Sequence, residues 1–374
     1  VIIAINARFL IADHLEGIGW YTYELSKELV RQHPEDQFLF FFDRPFPTSF
    51  VFGSNVTPIV LNPQSHRYGL WYFWFEWQLA RALRHYKADV FFSPDNFLSL
   101  RSTTPTLMTI HDIAYIHYPD LITRMSRWHY HHFQARYLQR ADHIVAVSEY
   151  TRQDVLKHFP IAPTKITAVP NGFRGIFAPL AAEKKEQVKQ QVSQGQDYFF
   201  YLGSLHPRKN LVRLIKAYDL FRQKTSAPVK LLIGGRIAWQ TSEIHTTWEK
   251  TAHREDIQFL GFLPDEQLAK VLGSALALTY VSLFEGFGLP ILEAMQAGTP
   301  VLSSMVSSLP EVAGDAALLV DPLNVEEMAA GMEKIWRNPE LRQNMMEKGK
   351  VQASRFSWAE AAEKTYALLK LLQK

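Results

Sequence analysis

The chain contains no cysteine. That excludes disulfides, thiolate metal sites and a cysteine nucleophile, and it fits a reducing compartment. No apolar run approaches the ~18 residues that a membrane span requires. Charge of neither sign dominates, with 40 basic residues against 37 acidic ones and a net of +3. A dedicated nucleic-acid binder carries a basic excess, so no nucleic-acid partner is expected. There is no repeat of solenoid period and no low-complexity tract. Neither half holds a GxGxxG turn, which argues against a dinucleotide dehydrogenase. The chain opens on "VIIAIN", which reads as a buried strand, so no signal peptide is expected. The initiator Met is absent, and the numbering need not start where the gene does. Together these absences fit a cytoplasmic protein.

What remains is a large apolar fraction, 47% of 374 residues, enough for two domain cores. Short apolar runs alternate with amphipathic segments. Strands are expected at 1–6, 37–42, 89–94, 106–112 and 143–148, with helices at 17–32, 71–86 and 128–140 between them. The alternation restarts with strands at 198–204, 229–235, 257–262, 276–282 and 300–305. Continuous apolar strands separated by helices indicate parallel sheets covered on both faces. Between the two arrays lies "VPNGFRGIFAPL" (169–180), a turn-rich linker, followed by the charged run "EKKEQVKQQ". The expected division is therefore 1–172 and 173–356. A final helix over 357–373 has Ser357 as its N-cap and Ala361, Tyr366, Leu368, Leu369 and Leu372 on its apolar face. That helix could pack on either domain. The fold class is α/β, two Rossmann-like doubly wound domains. Such sheets bind ligands beyond the carboxyl ends of their strands, here expected in a cleft between the domains.

The most informative stretch is "SLFEGFGLPILEAMQAGTP", residues 282–300. Pro290 suits the first position of a helix and Gly298 the position past its end, which predicts a helix over 290–297. Glu285 and Glu293 are eight residues apart. That spacing is ~80° off one helical face. Glu285 is then on the loop and Glu293 in the first turn, around a helix N-terminus that attracts oxygen-rich ligands. Gly286 and Gly288 let backbone amides come close to such a ligand. Two carboxylates with amides between them suit a ligand with hydroxyls at two places and phosphate in the middle, which is the layout of a nucleotide sugar. The plainer alternative is a dipole-complementing Glu293 and a solvated Glu285.

"EGFGLPILEAMQAGTPV" and the following "SSLPEVAGDAALLVDP" (307–322) resemble the signature of retaining glycosyltransferases of the GT-B fold, in particular glycosyltransferase family 4. The likeness covers nearly all of the C-terminal domain. It implies that Glu285 contacts the donor sugar, that Glu293 holds the ribose hydroxyls, and that the Phe287, Gly288 and Leu289 backbone contacts sugar or phosphate. "GSLHPRKNL" (203–211) follows a strand and carries Arg208 and Lys209. Such a pair alone is more often a solvated turn. In this family it resembles the diphosphate-binding pair, a fork and a point charge on the leaving group. Some relatives have an Arg directly after the glycine, where this chain has Ser204.

In the N-terminal domain, "TLMTIHDIAYIHYPD" (106–120) places His111 and Asp112 at a strand end, on opposite faces and so not as a dyad. The family resemblance implies that His111 reaches the donor sugar and contributes orientation and charge stabilisation. "EGIGWYTYEL" (16–25) looks like a reduced form of the family's glycine-rich loop, with Gly17 and Gly19 near donor or acceptor. Ser148 reads as a helix N-cap. Eleven of the 14 histidines lie in residues 1–170. His129, His131 and His132 crowd one segment with no HExxH pattern, so a partly exposed helix is expected rather than a metal site. That segment and "WYFWFEWQLARALRHYK" (71–87) are rich in aromatics. Core packing is the plainer reading. Arg81, Arg84 and Lys87 keep open a surface for peripheral contact with a membrane or for the acceptor.

The resemblance implies a metal-independent hexosyltransferase that uses no cofactor. It would move glucose or mannose from a nucleoside diphosphate to a saccharide or lipid-linked acceptor in polysaccharide biosynthesis. UDP-glucose is slightly favoured over GDP-mannose. The competing readings are an epimerase or phosphorylase of the same architecture, and a catalytically silent sugar-binding subunit.

Overall fold

A computed structural model describes residues 1–12, 15–65, 69–236 and 242–373. The chain divides into two compact units, one formed by Val1–Gly172 with Ser357–Lys374 and the other by Phe173–Phe356.

The first unit is built on seven parallel strands: β1 (Ile2–Asn6), β2 (Gln37–Phe42), β3 (Val56–Val60), β4 (Val90–Ser93), β5 (Thr106–Ile110), β6 (His143–Ala146) and β7 (Ile166–Ala168), in the order β3-β2-β1-β4-β5-β6-β7. The order reverses between β1 and β4. The interior runs of β1, β2, β4 and β5 are buried on both faces, which is why they read as unbroken apolar stretches. The second unit has β8 (Asp197–Leu202), β9 (Val229–Gly234), β10 (Ile257–Gly261), β11 (Ala277–Tyr280), β12 (Val301–Ser304) and β13 (Leu318–Val320), in the order β10-β9-β8-β11-β12-β13. Its reversal point lies between β8 and β11.

Three strands were not visible in the sequence: β3, β7 and β13. All three are sheet edges. β3 carries Pro58, and β7 and β13 are three residues each. An edge strand needs neither length nor an apolar run, because one side has no pairing partner. The expected helix over 71–86 is one continuous run from Leu70 to His85, but its middle, Trp74–Leu79, is a π-helical turn. The expected helix over 128–140 starts earlier, at Arg124, where Thr123 Oγ1 accepts from the Ser126 amide at 3.1 Å. Ser148 caps the helix Glu149–His158 as expected, accepting from the Thr151 amide at 3.0 Å.

The last helix, Trp358–Leu371, is capped by Ser357 and belongs to the first unit. Its buried face is Trp358, Ala361, Ala362, Thr365 and Leu369, while Tyr366, Leu368 and Leu372 are only half-buried. The Tyr366 hydroxyl donates to Asp36 Oδ2 at 2.6 Å, and its ring stacks on His33. Gly172 lies so close to this helix that a Cβ there would fall 2.2 Å from the Trp358 nitrogen. The Trp358 ring meets Tyr21 edge-on, and Tyr21 meets His111 in the same way. The C-terminal helix thus props the end of β5 through two aromatic contacts.

Candidate active site

β8 and β11 are neighbours at the reversal point of the second sheet, so the loops that leave them diverge around one crevice. Arg208 and Lys209 end a short 3₁₀ turn, Pro207–Lys209, on the β8 side, and Glu285 follows β11. The two loops are tied by backbone and amide bonds. The Leu283 amide donates to the Arg208 carbonyl at 2.9 Å, and the Asn210 side chain donates to the carbonyls of Val281 (3.0 Å) and Pro322 (2.7 Å). Asn210 adopts φ +65°, a left-handed conformation that asparagine tolerates better than most residues.

This framework makes one ion cluster of residues that are 76 positions apart. Lys209 Nζ donates to Glu285 Oε1 at 2.5 Å and to the Tyr280 hydroxyl at 3.0 Å. The Tyr280 hydroxyl donates to the same Oε1 at 2.8 Å. Arg208 Nη1 donates to the Phe284 carbonyl at 2.7 Å and lies 3.7 Å from Glu285 Oε2. Glu285 is 7% exposed. Burial alone would raise its pKa, but the charges of Lys209 and Arg208 and the hydrogen bond from Lys209 outweigh it and bring the carboxyl down to about 2. Burial beside that carboxylate drives the Tyr280 phenol well above its ordinary value, so it remains a donor. Glu285 is thus not a solvated loop carboxylate.

The glycine-rich segment is held from behind by the "SSLP" residues. Ser307 Oγ accepts from the Glu285 amide at 3.0 Å, and Ser308 Oγ lies 2.9 and 2.8 Å from the carbonyls of Glu285 and Phe287. Gly288 has φ +117°, and a Cβ there would meet Leu309 at 2.8 Å. Only glycine fits both constraints. The helix begins one residue before the expected 290, running Leu289–Gln296 with Pro290 in its first turn, and Gly298 lies past its end at φ +69°. Among the described residues, the Phe287, Gly288 and Leu289 amides have no partner in the turn and loop hydrogen bonds. They are free donors at a helix N-terminus.

Glu293 departs from expectation. It is the fifth helical residue, not a first-turn one, and it points inward at 5% exposure. Its Oε1 accepts from Arg174 Nε at 2.8 Å, and Arg174 Nη1 donates to Asp265 Oδ1 at 2.7 Å. Burial raises the pKa of Glu293 above the ordinary carboxylate value, and the Arg174 charge opposes that rise. A helix-dipole role does not describe this residue. Sequence reading missed Arg174 and Tyr280. Arg174 sits two residues past the domain boundary in "NGFRGIF", and its partner is 119 residues away. Nothing local announces that pairing. Tyr280, the last residue of β11, was legible only as part of an apolar strand.

In the first unit, His111 leaves β5 and its Nε2 is 2.8 Å from the Pro94 carbonyl. A carbonyl only accepts, so Nε2 carries the proton. Burial lowers the imidazole's pKa, which keeps the ring neutral with Nδ1 as an acceptor. A cationic, charge-stabilising His111 does not fit this environment. Gly19 is also corrected. It is buried inside the helix Ile18–Gln32, where a Cβ would approach the Phe9 carbonyl to 2.9 Å, and its amide already donates to the Glu16 carbonyl. Packing explains this glycine. Gly17, the N-cap at φ +34°, has open space around it.

The three clustered histidines diverge as a partly exposed helix requires: His129 is buried, while His131 and His132 face outward. Burial brings His129 down to about 4. The aromatic helix divides in the same way. Trp74 and Phe75 are buried in the core, whereas Tyr72, Phe73 and Trp77 are 40%, 42% and 52% exposed. Among the described residues, no helix is long and apolar enough to cross a membrane.

The family model for glycosyl transferases group 1 matches residues 183–352, and that for glycosyltransferase family 4 matches residues 15–174. The O-antigen chain mannosyltransferase B of Escherichia coli is 31% identical over 78% of this chain and 77% of its own length. The serotype-specific mannosyltransferase WbdA of Escherichia coli is 29% identical over 60% of this chain, which spans only 28% of that longer protein. Among solved structures, a sucrose-phosphate synthase from Thermosynechococcus elongatus superposes with a TM-score of 0.80 at 19% identity, covering 99% of this chain and 98% of its own. The chain belongs to glycosyltransferase family 4, the group 1 glycosyltransferases, and has the GT-B fold.

Two consequences of these ion pairs are measurable. Arg174→Ala leaves Glu293 buried and uncompensated, and is expected to cost about 3–5 kcal/mol in urea unfolding. Arg174→Met combined with Glu293→Leu should recover much of that loss. A loss under 1 kcal/mol in the single variant would show that the pair is not buried as described. Glu285 titrates near 4.5 when unfolded and at about 2 when folded. Its stabilisation, roughly 3 kcal/mol, is therefore present above pH ~4.5 and disappears as the pH falls through ~2. Glu285→Gln should flatten the loss of stability between pH ~5 and ~2. Equal acid slopes in the two proteins would contradict the assignment.

Proposed function

We propose that this hexosyltransferase of polysaccharide biosynthesis transfers mannose from a nucleoside diphosphate to a hydroxyl of a growing saccharide, retaining the anomeric configuration. The observation that carries the reading is the Arg208–Lys209–Glu285 cluster beside the unpartnered amides of 287–289. Two cations and a helix N-terminus at one reversal point form a receptor for a diphosphate with a sugar attached.

In this reading Arg208 and Lys209 bind the diphosphate, with Lys209 shared between a phosphate oxygen and Glu285. The bond from the anomeric carbon to the diphosphate oxygen breaks, and its electron pair stays on the phosphate. The acceptor hydroxyl attacks from the same face, and its proton passes to the leaving phosphate. Glu285 is ionised and has Oε1 occupied by Lys209 and Tyr280. It acts as an acceptor for a sugar hydroxyl through Oε2, and no covalent step requires it. Glu293 holds the ribose hydroxyls with Oε2, its Oε1 being committed to Arg174. Within the first unit, His111 presents Nδ1 as an acceptor, and Gly17 is the glycine left for close backbone approach. No metal is invoked, because Arg208, Lys209 and the amides supply the positive charge.

Of the two donors expected, the mannosyltransferase relatives favour GDP-mannose over UDP-glucose. Arg236 is a candidate for the phosphate contact that Ser204 does not supply. Its carbonyl accepts from the Leu205 amide at 2.8 Å, which brings it to the same loop.

Lys209→Ala and Glu285→Ala are each expected to lower transfer by about 10²–10³-fold. Each unpairs a buried charge, so rates are compared well below each variant's own unfolding temperature. In the wild type, GDP and GDP-mannose should raise the melting temperature more than UDP, ADP or their glucose conjugates, and Glu293→Ala should abolish the shift. Transfer near the wild-type rate in both variants would overturn the site. A preference for uridine nucleotides would overturn the donor.

Peripheral membrane contact is the finer reading of the first unit. It is supported by the exposed Tyr72, Phe73 and Trp77, by exposed Arg81, Arg84 and Lys87 on the same run, and by Arg101, whose guanidinium is 4.2 Å from the Trp77 ring centre. The chain should co-sediment with anionic vesicles and not with neutral ones, and Phe73→Ser with Trp77→Ser should release it. Equal binding by that variant would rule the surface out.

A further inference from the structure

One group of side chains away from the donor-binding residues has the composition of a metal site. The helix Ala114–His117 ends on His117, and the helix Glu149–His158 ends on His158. Asp154 is four residues before His158 on the same helix, so the two project from one face. Asp154 is 7% exposed. His117 Nε2 lies 2.8 and 3.0 Å from its two carboxylate oxygens, and His158 Nδ1 lies 3.2 Å from Oδ1. Taking one ligand atom from each residue, all three fall within 4.8 Å of one another. The two imidazoles meet edge to face and are 29% and 25% exposed, which leaves a path from solvent.

We propose that His117 Nε2, the Asp154 carboxylate and His158 Nδ1 bind one divalent transition-metal ion, with zinc the best match and water completing the shell. Two imidazoles and a carboxylate are a borderline-soft N₂O set, which suits zinc rather than magnesium or calcium. Metal–ligand distances of about 2.0–2.1 Å place tetrahedral ligand atoms about 3.3–3.5 Å apart. The two carboxylate–imidazole separations are already close to that, so only the imidazoles have to draw together. His158 Nδ1 is also 2.9 Å from the Asp154 backbone carbonyl, so as a proton donor it divides one hydrogen between two acceptors. A metal ion would take the Nδ1 lone pair instead. The carboxylate is anchored by burial and the ligands come from two helices, so the ion would staple the segment after β5 to the helix Glu149–His158. His111 begins that segment, six residues before His117. The ion takes no part in sugar transfer, and the proposal stands or falls independently of the donor assignment.

The test uses the full chain, stripped with a chelator and titrated with Co²⁺ by its visible absorption, then with Zn²⁺ as competitor. The expected result is one ion per chain with Zn²⁺ displacing Co²⁺, and a higher melting temperature with Zn²⁺. His117→Gln and His158→Gln, both at half-exposed positions, should each weaken binding by at least the roughly 10–100-fold that losing even an outer partner costs. Glu35→Gln tests the other group of suitable ligands, His33, Glu35 and Asp36, and should leave binding unchanged. Failure of the wild type to bind one ion per chain would overturn the proposal. So would unchanged affinity in both histidine variants, or loss of binding on Glu35→Gln.

Discussion

The second unit is organised around one buried ion pair, Lys209 with Glu285. Neither residue is stable alone in that position. A carboxylate at 7% exposure needs a cation, and the bond from Lys209 at 2.5 Å supplies it. Both residues hang on loops that leave adjacent strands in opposite directions, so the pair can form only because the strand order reverses between β8 and β11. The supporting contacts follow from that. Asn210 and the Leu283 amide join the two loops, Tyr280 completes the coordination of Oε1, and the Ser307–Ser308 pair fixes the backbone on either side of Glu285. In the proposed reading, this cluster gives a preorganised crevice whose cations are positioned before any ligand arrives.

Glu293 shows the same principle with a different partner. A buried carboxylate needs a compensating charge, and Arg174 provides it from just past the domain boundary. Arg174 also binds Asp265, so one guanidinium ties the start of the second unit to two separate helices of that unit. The linker's end is therefore part of the site's construction. In the first unit the analogous support is aromatic and not ionic. Trp358 and Tyr21 back His111, and the Pro94 carbonyl fixes its tautomer.

Much of this was legible in the residues. Apolar runs such as "QFLFFF" marked the central strands because a strand buried on both faces has no polar positions to interrupt it. Gly288, Pro290 and Gly298 marked the helix because each meets a backbone requirement that other residues meet poorly. The edge strands β3, β7 and β13 were not legible, since a proline interrupts the first and the other two are only three residues long. Gly19 was misread because its cause, the Phe9 carbonyl, is a packing contact ten residues away.

The sequence by itself determined the fold class, the boundary region, the glutamates and the basic pair, and through the family motif the kind of enzyme. These depend on local periodicity, on backbone demands and on residue chemistry at short spacing. Tertiary structure alone decided which charges meet. Lys209 finds Glu285, Arg174 finds Glu293, and His117 finds Asp154 and His158 only when strand order and helix packing bring distant segments together. It also decided ionisation, keeping Glu285 charged and His111 neutral, because a pKa responds to burial and partners that no linear spacing contains.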